Sequence, residues 1–481
     1  MVALRRCEAI LAILLLASSS LAVAAPLDMV LTDPFDTKSG LPSQDGRLWR
    51  APHIRFPLPN SPHVQTFVHP VSLAQLTAYA LSHNPTTREA FANLQAAAAG
   101  LGVAMSGYLP TLTLSSNASR SQQNSTAGFL VPALNSDSTN LSLSYTLLDF
   151  GARAAQVNEA HAALWIQGFD NNQSLQSVAL SVTQNYYQYI GEQAVVAAYK
   201  QTVAEDKASL DSAQLQQKSG MQTIADVLEA KSALAQANAD LISAQAQVRA
   251  DAAALAESCG LPPNQHIPVA PLDVHIPPPN ITPSIDALIR YALHHNTTVS
   301  ADAAQILEDR ATVDADIAAG LPTLSLSATG GKRFQNGLLP SQNWSIGVTL
   351  TVPIFSGFKQ SYQIAEARAE ERSSQASLDS EAQSVSLTIY QDYQTFLGAR
   401  EAARAANLAV VSARASLAAA QAQYKVGLAT MVTVLTDQAA LTTAEQTQIQ
   451  DITTSYVDLA NLANALGLIG LPKKLPLGDN A

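Results

Sequence analysis

Charged and aromatic side chains are scarce in this 481-residue sequence, and cysteine is almost absent. Charged residues make up 14% of the chain and aromatic residues 6%, whereas Ala, Gln, Ser and Leu dominate long tracts. This composition favours long helices packed through small side chains over a compact enzyme. The formal net charge of -11 provides no basic stripe that could neutralise phosphates, which argues against a nucleic-acid partner.

Residues 1–25 carry the features of an export signal peptide. Two arginines precede a short apolar run at 10–16, and Ala-Val-Ala at 22–24 matches an A-x-A cleavage site. The run is too short to span a bilayer, so we expect cleavage; a retained anchor is the alternative. Cys7 precedes the run, so the mature chain should lack an N-terminal lipid-bearing cysteine. Cys259 alone cannot form an intrachain disulfide.

Five short markers occur twice in the sequence, in the same order and at nearly constant offset. The pairs are 79–84 with 291–296, 109–115 with 321–327, 149–151 with 355–357, 218–220 with 425–427, and 259–261 with 466–468. The sequence therefore predicts two repeats, 72–262 and 284–470, joined by a Pro-rich linker, 263–283. A Pro-rich extension, 26–71, precedes them and a short tail, 471–481, follows them.

Each repeat changes its periodicity in the same order. A helical stretch, at 85–108 or 297–319, ends at a Leu-Pro pair, and two strand-like segments follow. A long proline-free run then extends from Gly151 to Lys218, or from Gly357 to Lys425. Such a run predicts a helix on the order of 100 Å long. A return helix and the short leading helix together nearly match that length, which predicts an antiparallel hairpin with two helices stacked end to end.

Period-two alternation predicts membrane-facing strands. The apolar members that we expect to face lipid are Leu141, Leu143, Tyr145, Trp344, Ile346, Val348 and Leu350. The intervening residues are polar or glycine, and each segment has about the ten residues that a tilted strand needs to cross a bilayer. Two ordinary hairpins in a soluble domain are the alternative. Four strands cannot close a barrel, so closure requires other copies; two copies are the minimum, and a trimer gives twelve strands.

The ordered, duplicated set of motifs resembles the TolC family of outer-membrane efflux proteins across roughly 72–470. The motifs are the two Leu-Pro-Thr-Leu strand starts, the strand ends at Phe150-Gly151 and Ser356-Gly357, and the turn at 424–427 followed by 434–437. The resemblance implies a mainly α fold with a transmembrane β-barrel. It implies a homotrimer whose duplicated hairpins form a periplasmic tunnel and whose strands complete a 12-stranded barrel in outer-membrane lipid of a Gram-negative bacterium.

The resemblance also implies partners and sites at the hairpin tips. A periplasmic adaptor protein would contact two uncharged turns, made of Gly220, Met221, Gln222, Thr223, Gly427, Leu428, Ala429 and Thr430. Each glycine also suits a plain helix-hairpin turn. The gate candidates are Arg414, Gln421 and Asp211. Ala418 stands where the family can place an aspartate, which puts a carboxylate ring in doubt, and Arg414 as a solvated helix residue is the alternative.

These features predict a passive, non-enzymatic exit duct for small toxic molecules, driven by an inner-membrane pump of the RND or ABC type. Type I protein secretion is the alternative within this class. A trimeric adhesive coiled coil would require sustained heptads with larger apolar residues. A secreted enzyme would require a catalytic constellation, and no phosphate loop, nucleophile elbow or zinc spacing occurs in the sequence. We therefore expect no cofactor and no metal.

Overall fold

The computed structural model describes residues 67, 69–122, 133–272 and 280–469. The first half consists of α1 (Leu73–His83), α2 (Pro85–Ser106), β1 (Thr111–Ser121), β2 (Leu134–Leu148), α3 (Ala152–Lys218) and α4 (Ile224–Ser258). The second half consists of α5 (Ile285–His295), α6 (Thr297–Ala319), β3 (Thr323–Gln335), β4 (Ser341–Thr351), α7 (Lys359–Lys425) and α8 (Met431–Ala465). The predicted duplication, element order and mainly α class are confirmed. The predictions for 1–25, most of 26–71 and 471–481 fall outside the described residues.

The long helices α3 and α7 have 67 residues each, which corresponds to about 100 Å of helix. Their return helices, α4 and α8, have 35 residues each. Many buried positions of the long helices carry alanine, including Ala155, Ala162 and Ala179 in α3 and Ala403 and Ala406 in α7. Small side chains at these positions let neighbouring helices approach closely, so the Ala-rich composition determines the packing.

The short leading helix and the return helix of each half meet end to end, as predicted. Asn84 begins α2 by accepting the backbone N–H of Thr86 at 2.8 Å, and its Nδ2 donates to the carbonyl of Ser258 at the end of α4. In the second half, Asn296 accepts the N–H of Thr298 and donates to the carbonyl of Ala465. Each asparagine therefore caps the start of the leading helix and also donates to a carbonyl in the last turn of the return helix.

The four strands form one antiparallel sheet in the order β1-β2-β3-β4, with β1 and β4 at its edges. Leu112 pairs with Leu143, which pairs with Ala328, which pairs with Ile346. Because paired residues project to the same face, the apolar members of all four strands form one continuous face. The opposite face carries Ser, Thr and Asn side chains; there Thr329 and Ser345 share a hydrogen bond of 2.8 Å.

The turn from strand to long helix corrects one sequence prediction. The repeat pattern aligns Gly151 with Gly357 and predicts that the long helices begin at these residues. The structure begins them at Ala152 and Lys359, so Phe358 occupies the place of Gly151. Both residues of each turn have positive φ: 49° and 102° for Phe150 and Gly151, and 65° and 61° for Gly357 and Phe358. Glycine avoids the steric strain of positive φ at either of the two turn positions, so the two repeats can place it differently.

The described residues form three apolar clusters along the helical part. The first joins α1 to the end of α4, the second lies at the hairpin tips, and the third joins α5 to α7 and the end of α8. Among the described residues, no helix combines the length and apolar composition needed to cross a bilayer.

Candidate functional site: hairpin tips, helix wall and sheet

Two similar turns close the hairpin tips. Gly220 has a φ of 76° and Gly427 a φ of 77°, which confirms the predicted left-handed glycine at the end of each long helix. Met221 N donates to Gln216 O and Leu428 N donates to Gln423 O, both at 2.9 Å. These bonds each satisfy a carbonyl in the last turn of α3 or α7, so the turns are closed by their own backbone.

The residues after the glycines begin the return helices. Thr223 caps α4 in a capping box with Asp226, and Thr430 caps α8 by accepting the N–H of Thr433 at 3.3 Å. Gln222 N donates to Gln216 O, while Ala429 packs partly buried against the tip cluster. The local turn structure is therefore sufficient to explain why these four residues lie where they do, and a binding partner is not needed for that explanation.

The two tips lie side by side. A buried cluster contains Ala213 of α3, Ala230 of α4, Leu417 and Tyr424 of α7, and Met431 of α8. The structure thus brings the two predicted tip sequences, more than 200 residues apart in the chain, to one end of the molecule.

Apolar side chains are exposed at this end. Met221 is 71% exposed and Leu428 79%, and Val426 and Ile224 are 70% and 59% exposed. Val426 and Ile224 were not among the predicted contact residues, although each flanks an uncharged glycine turn. Several apolar side chains exposed at one end of a molecule are typical of a surface that contacts another protein.

The three gate candidates take different positions. Arg414 of α7 donates from Nη2 to Oε1 of Glu445 on α8, at 2.8 Å, with its own side chain 68% exposed. Gln421 faces a groove between α3 and the α7–α8 tip. Asp211 lies exposed on α3. The structure therefore joins Arg414 to a carboxylate of its own hairpin, which sequence analysis did not identify.

A buried carboxylate lies in α3, further from the tip than Asp211. Asp206 of α3 is 4% exposed and borders a cavity of about 260 Å³ shared with α4 and α8. Burial, together with the adjacent Glu205 carboxylate, raises the pKa of Asp206 to about 6. Thr202 and Thr442 share a 2.8 Å hydrogen bond in the same cavity. Helical periodicity in α3 alone could not identify this residue, because two other helices bury it.

The predicted lipid-facing side chains occupy the apolar face of the sheet. Trp344 is 81% exposed in the single chain, and Ile346, Val348 and Leu350 on the same edge strand are each at least 60% exposed. Leu141, Leu143 and Tyr145 of β2 pair with Gly330, Ala328 and Leu326 of β3. The backbone groups along the outer edges of β1 and β4 have no strand partner within the described chain.

Known proteins share the sequence pattern and the architecture. A family model described as Outer membrane efflux protein matches residues 76–261 and 288–468. Protein CyaE of Bordetella pertussis is 28% identical over 338 residues, which cover 69% of this chain and 70% of that protein. Outer membrane protein TolC of Escherichia coli is 24% identical over 432 residues, covering 85% and 84%.

A solved structure shares the fold. The outer membrane protein VceC of Vibrio cholerae superimposes with a TM-score of 0.70 at 21% identity, covering 82% of this chain and 96% of that one. Both matched segments of the family model lie inside the two predicted repeats, one in each.

Proposed function

The chain belongs to the outer membrane efflux protein family, and we propose that three copies of it form the exit duct of a tripartite efflux system. Members of this family are outer-membrane channels that extend into the periplasm, and this protein is located there in a Gram-negative bacterium. In the proposed system the duct conducts small toxic molecules passively, and an inner-membrane pump supplies the energy.

The open-edged sheet with one continuous apolar face carries this proposal. Within the described part of the chain, the two edge strands leave backbone donors and acceptors without a strand partner, which is costly in lipid. Neighbouring copies would therefore pair β4 of one chain with β1 of the next. Three copies give twelve strands, within the known range for closed barrels. The apolar face then contacts lipid, and the Ser, Thr and Asn face lines the lumen.

The helical hairpins extend this duct through the periplasm. Helices of about 100 Å far exceed the thickness of a bilayer, which is about 40–45 Å with its headgroups. Twelve long helical segments around a threefold axis would form a tunnel wall. The exposed apolar tip residues Met221 and Leu428 would then contact the adaptor protein.

Photo-crosslinking from the tips tests this proposal. We expect a benzophenone side chain at Met221 or Leu428, introduced in the native host, to capture a periplasmic adaptor. A matched probe at Leu339, which is 90% exposed in the β3–β4 turn at the opposite end, should capture none. The identity of the pump that works with the captured adaptor would distinguish small-molecule efflux from protein secretion. Capture of no partner from either tip, in protein folded in the outer membrane, would contradict the tripartite assembly.

A further inference from the structure

A short extended segment fills an apolar groove in the first repeat. The groove lies between α1 and the end of α4, and its walls include Leu76, Tyr79 and Leu255. Ile267 inserts into it and is 2% exposed, and Val269 packs partly buried against the same cluster. Backbone contact also holds the segment, because Val71 N donates to Pro268 O at 2.9 Å.

None of the described residues fills the equivalent groove in the second repeat. It forms a cavity of about 250 Å³ between α5 and the end of α8, with Leu288, Tyr291 and Leu462 in its walls. These three residues stand at the repeat positions of Leu76, Tyr79 and Leu255. The remaining lining is apolar as well, from Ile281 at one end to Leu468 at the other. The filled groove of the first repeat shows the kind of segment, short, extended and apolar, that the duplicate groove could bind.

The sequence after α8 carries a matching segment. In the first repeat, Ile267-Pro268-Val269 follows Leu261 by six residues; in the second, Leu475-Pro476-Leu477 follows Leu468 by seven. Leu261 and Leu468 occupy equivalent positions just after their helices. Seven residues span up to about 23 Å, so the additional residue does not limit the reach. The tail, 470–481, lies outside the described residues.

We propose that Leu475-Pro476-Leu477 binds the groove between α5 and α8 of its own chain, as Ile267-Pro268-Val269 binds the groove between α1 and α4. The two leucines fill the cavity, and the proline keeps the segment extended. One contact differs between the repeats. Pro283 replaces Val71 and has no N–H to donate, so the counterpart of the Val71–Pro268 hydrogen bond cannot form in the second repeat.

The position of the tail in the chain favours it over other occupants. It leaves α8 where the linker leaves α4, after the same Gly-Leu turn at Gly467 and Gly260. Phe56-Pro57-Leu58 in the N-terminal extension has a similar apolar-proline-apolar pattern, but it follows neither return helix. That segment and a neighbouring copy of the chain are the alternatives that the experiment must distinguish.

Photo-crosslinking with peptide mapping tests the occupant in full-length protein purified from membranes. A benzophenone side chain at Leu475 should crosslink within its own chain to peptides containing 281–291 or 459–468. The same probe at Val269 is the positive control and should label α1 or the end of α4. Three results would overturn the proposal: crosslinks between chains, crosslinks to 26–66, or no crosslink at Leu475 while Val269 reacts.

Thiol accessibility provides a second, independent readout. In an Ala287→Cys chain, the new thiol lines the groove and should react slowly with a maleimide while the tail is bound. Adding Leu475→Gln and Leu477→Gln should raise that rate at least tenfold, whereas Lys473→Gln with Lys474→Gln should leave it unchanged. The native Cys259 is buried, and burial raises the pKa of its thiol to about 11, so it contributes little background. Equal rates in the two variants would contradict the proposal.

Discussion

Asn84 Nδ2 donates a hydrogen bond of 2.9 Å to the carbonyl of Ser258, a residue 174 positions away in the chain. The second repeat contains the same joint, with Asn296 and Ala465 separated by 3.1 Å. Each asparagine also caps the helix that it begins. These joints connect two shorter helices end to end beside each long helix.

Removing the joint should destabilise the protein. Asn84→Ala deletes a helix cap and leaves the Ser258 carbonyl without its side-chain donor, for a cost of about 2 kcal/mol. Asn296→Ala should have a similar effect. The loss is measured as a lower melting temperature of the solubilised protein. Asn238→Ala is the control, because that exposed side chain bonds only within its own helix, to Leu234. An equal loss in the control would contradict the role of the joint.

Glycine substitutions should separate backbone strain from steric contact. Gly260 and Gly220 end return helix α4 and long helix α3 with φ values of 74° and 76°. A Cβ at Gly260 would lie 3.0 Å from the Cα of Asn84, whereas a Cβ at Gly220 meets open space. Gly220→Ala should therefore cost about 1 kcal/mol, and Gly260→Ala at least 1 kcal/mol more. Chemical unfolding measures the loss of unfolding free energy in both variants. Equal losses would show that the backbone near Asn84 shifts to accommodate the added Cβ.

Much of this architecture could be predicted from the sequence. Duplication, strand alternation and proline-free runs are local or periodic signals, and they predicted all four strands and both long hairpins. The Asn84–Ser258 and Arg414–Glu445 pairs could not be predicted, because each depends on how two separate helices pack. The burial of Asp206 depends on three helices. The turn at Gly357-Phe358 was misaligned because either of its two positions accepts glycine. The lipid-facing and gating assignments remain predictions.

Stability should depend on pH through buried carboxylates. The folded-state pKa of Asp206, about 6, lies above the ordinary aspartate value of 3.8. Between these two pH values the folded state therefore holds a proton that the unfolded state has lost. The stability that Asp206 contributes should therefore be fully present below about pH 4 and be lost as pH rises to about 6, by up to about 3 kcal/mol. Burial also raises the pKa of Asp392 and Asp458, with the same sign.

Asp206→Asn tests that contribution. The variant should lose part of the difference in melting temperature between pH 4.5 and pH 7.5, and it should be more stable than wild type at pH 7.5. Asp211→Asn, one helical turn and a residue further along α3 and exposed, should keep the wild-type difference. An unchanged difference in Asp206→Asn would show that its carboxyl is ionised in the folded protein at both pH values.

Breaking the Arg414–Glu445 pair tests gating. An exposed pair contributes at most about 1 kcal/mol, so Arg414→Ala should raise the open probability in planar bilayers roughly fivefold at most. Glu445→Ala should have the same effect. Arg310→Ala is the matched control, since Arg310 pairs with Glu371 at the same 2.8 Å distance but away from the tips. An unchanged open probability in all three variants would assign Arg414 to the solvated helix surface.

Cysteine pairing between the sheet edges tests the central claim most directly. We would place one cysteine at Ser115 of β1 and scan a second along β4, Ser341–Thr351, in protein oxidised within the outer membrane. Three chains joined through β1 and β4 should give covalent species of one, two and three chains, with three as the largest. A series that ends at two chains, continues beyond three, or shows no link between chains at any β4 position would contradict the twelve-stranded duct.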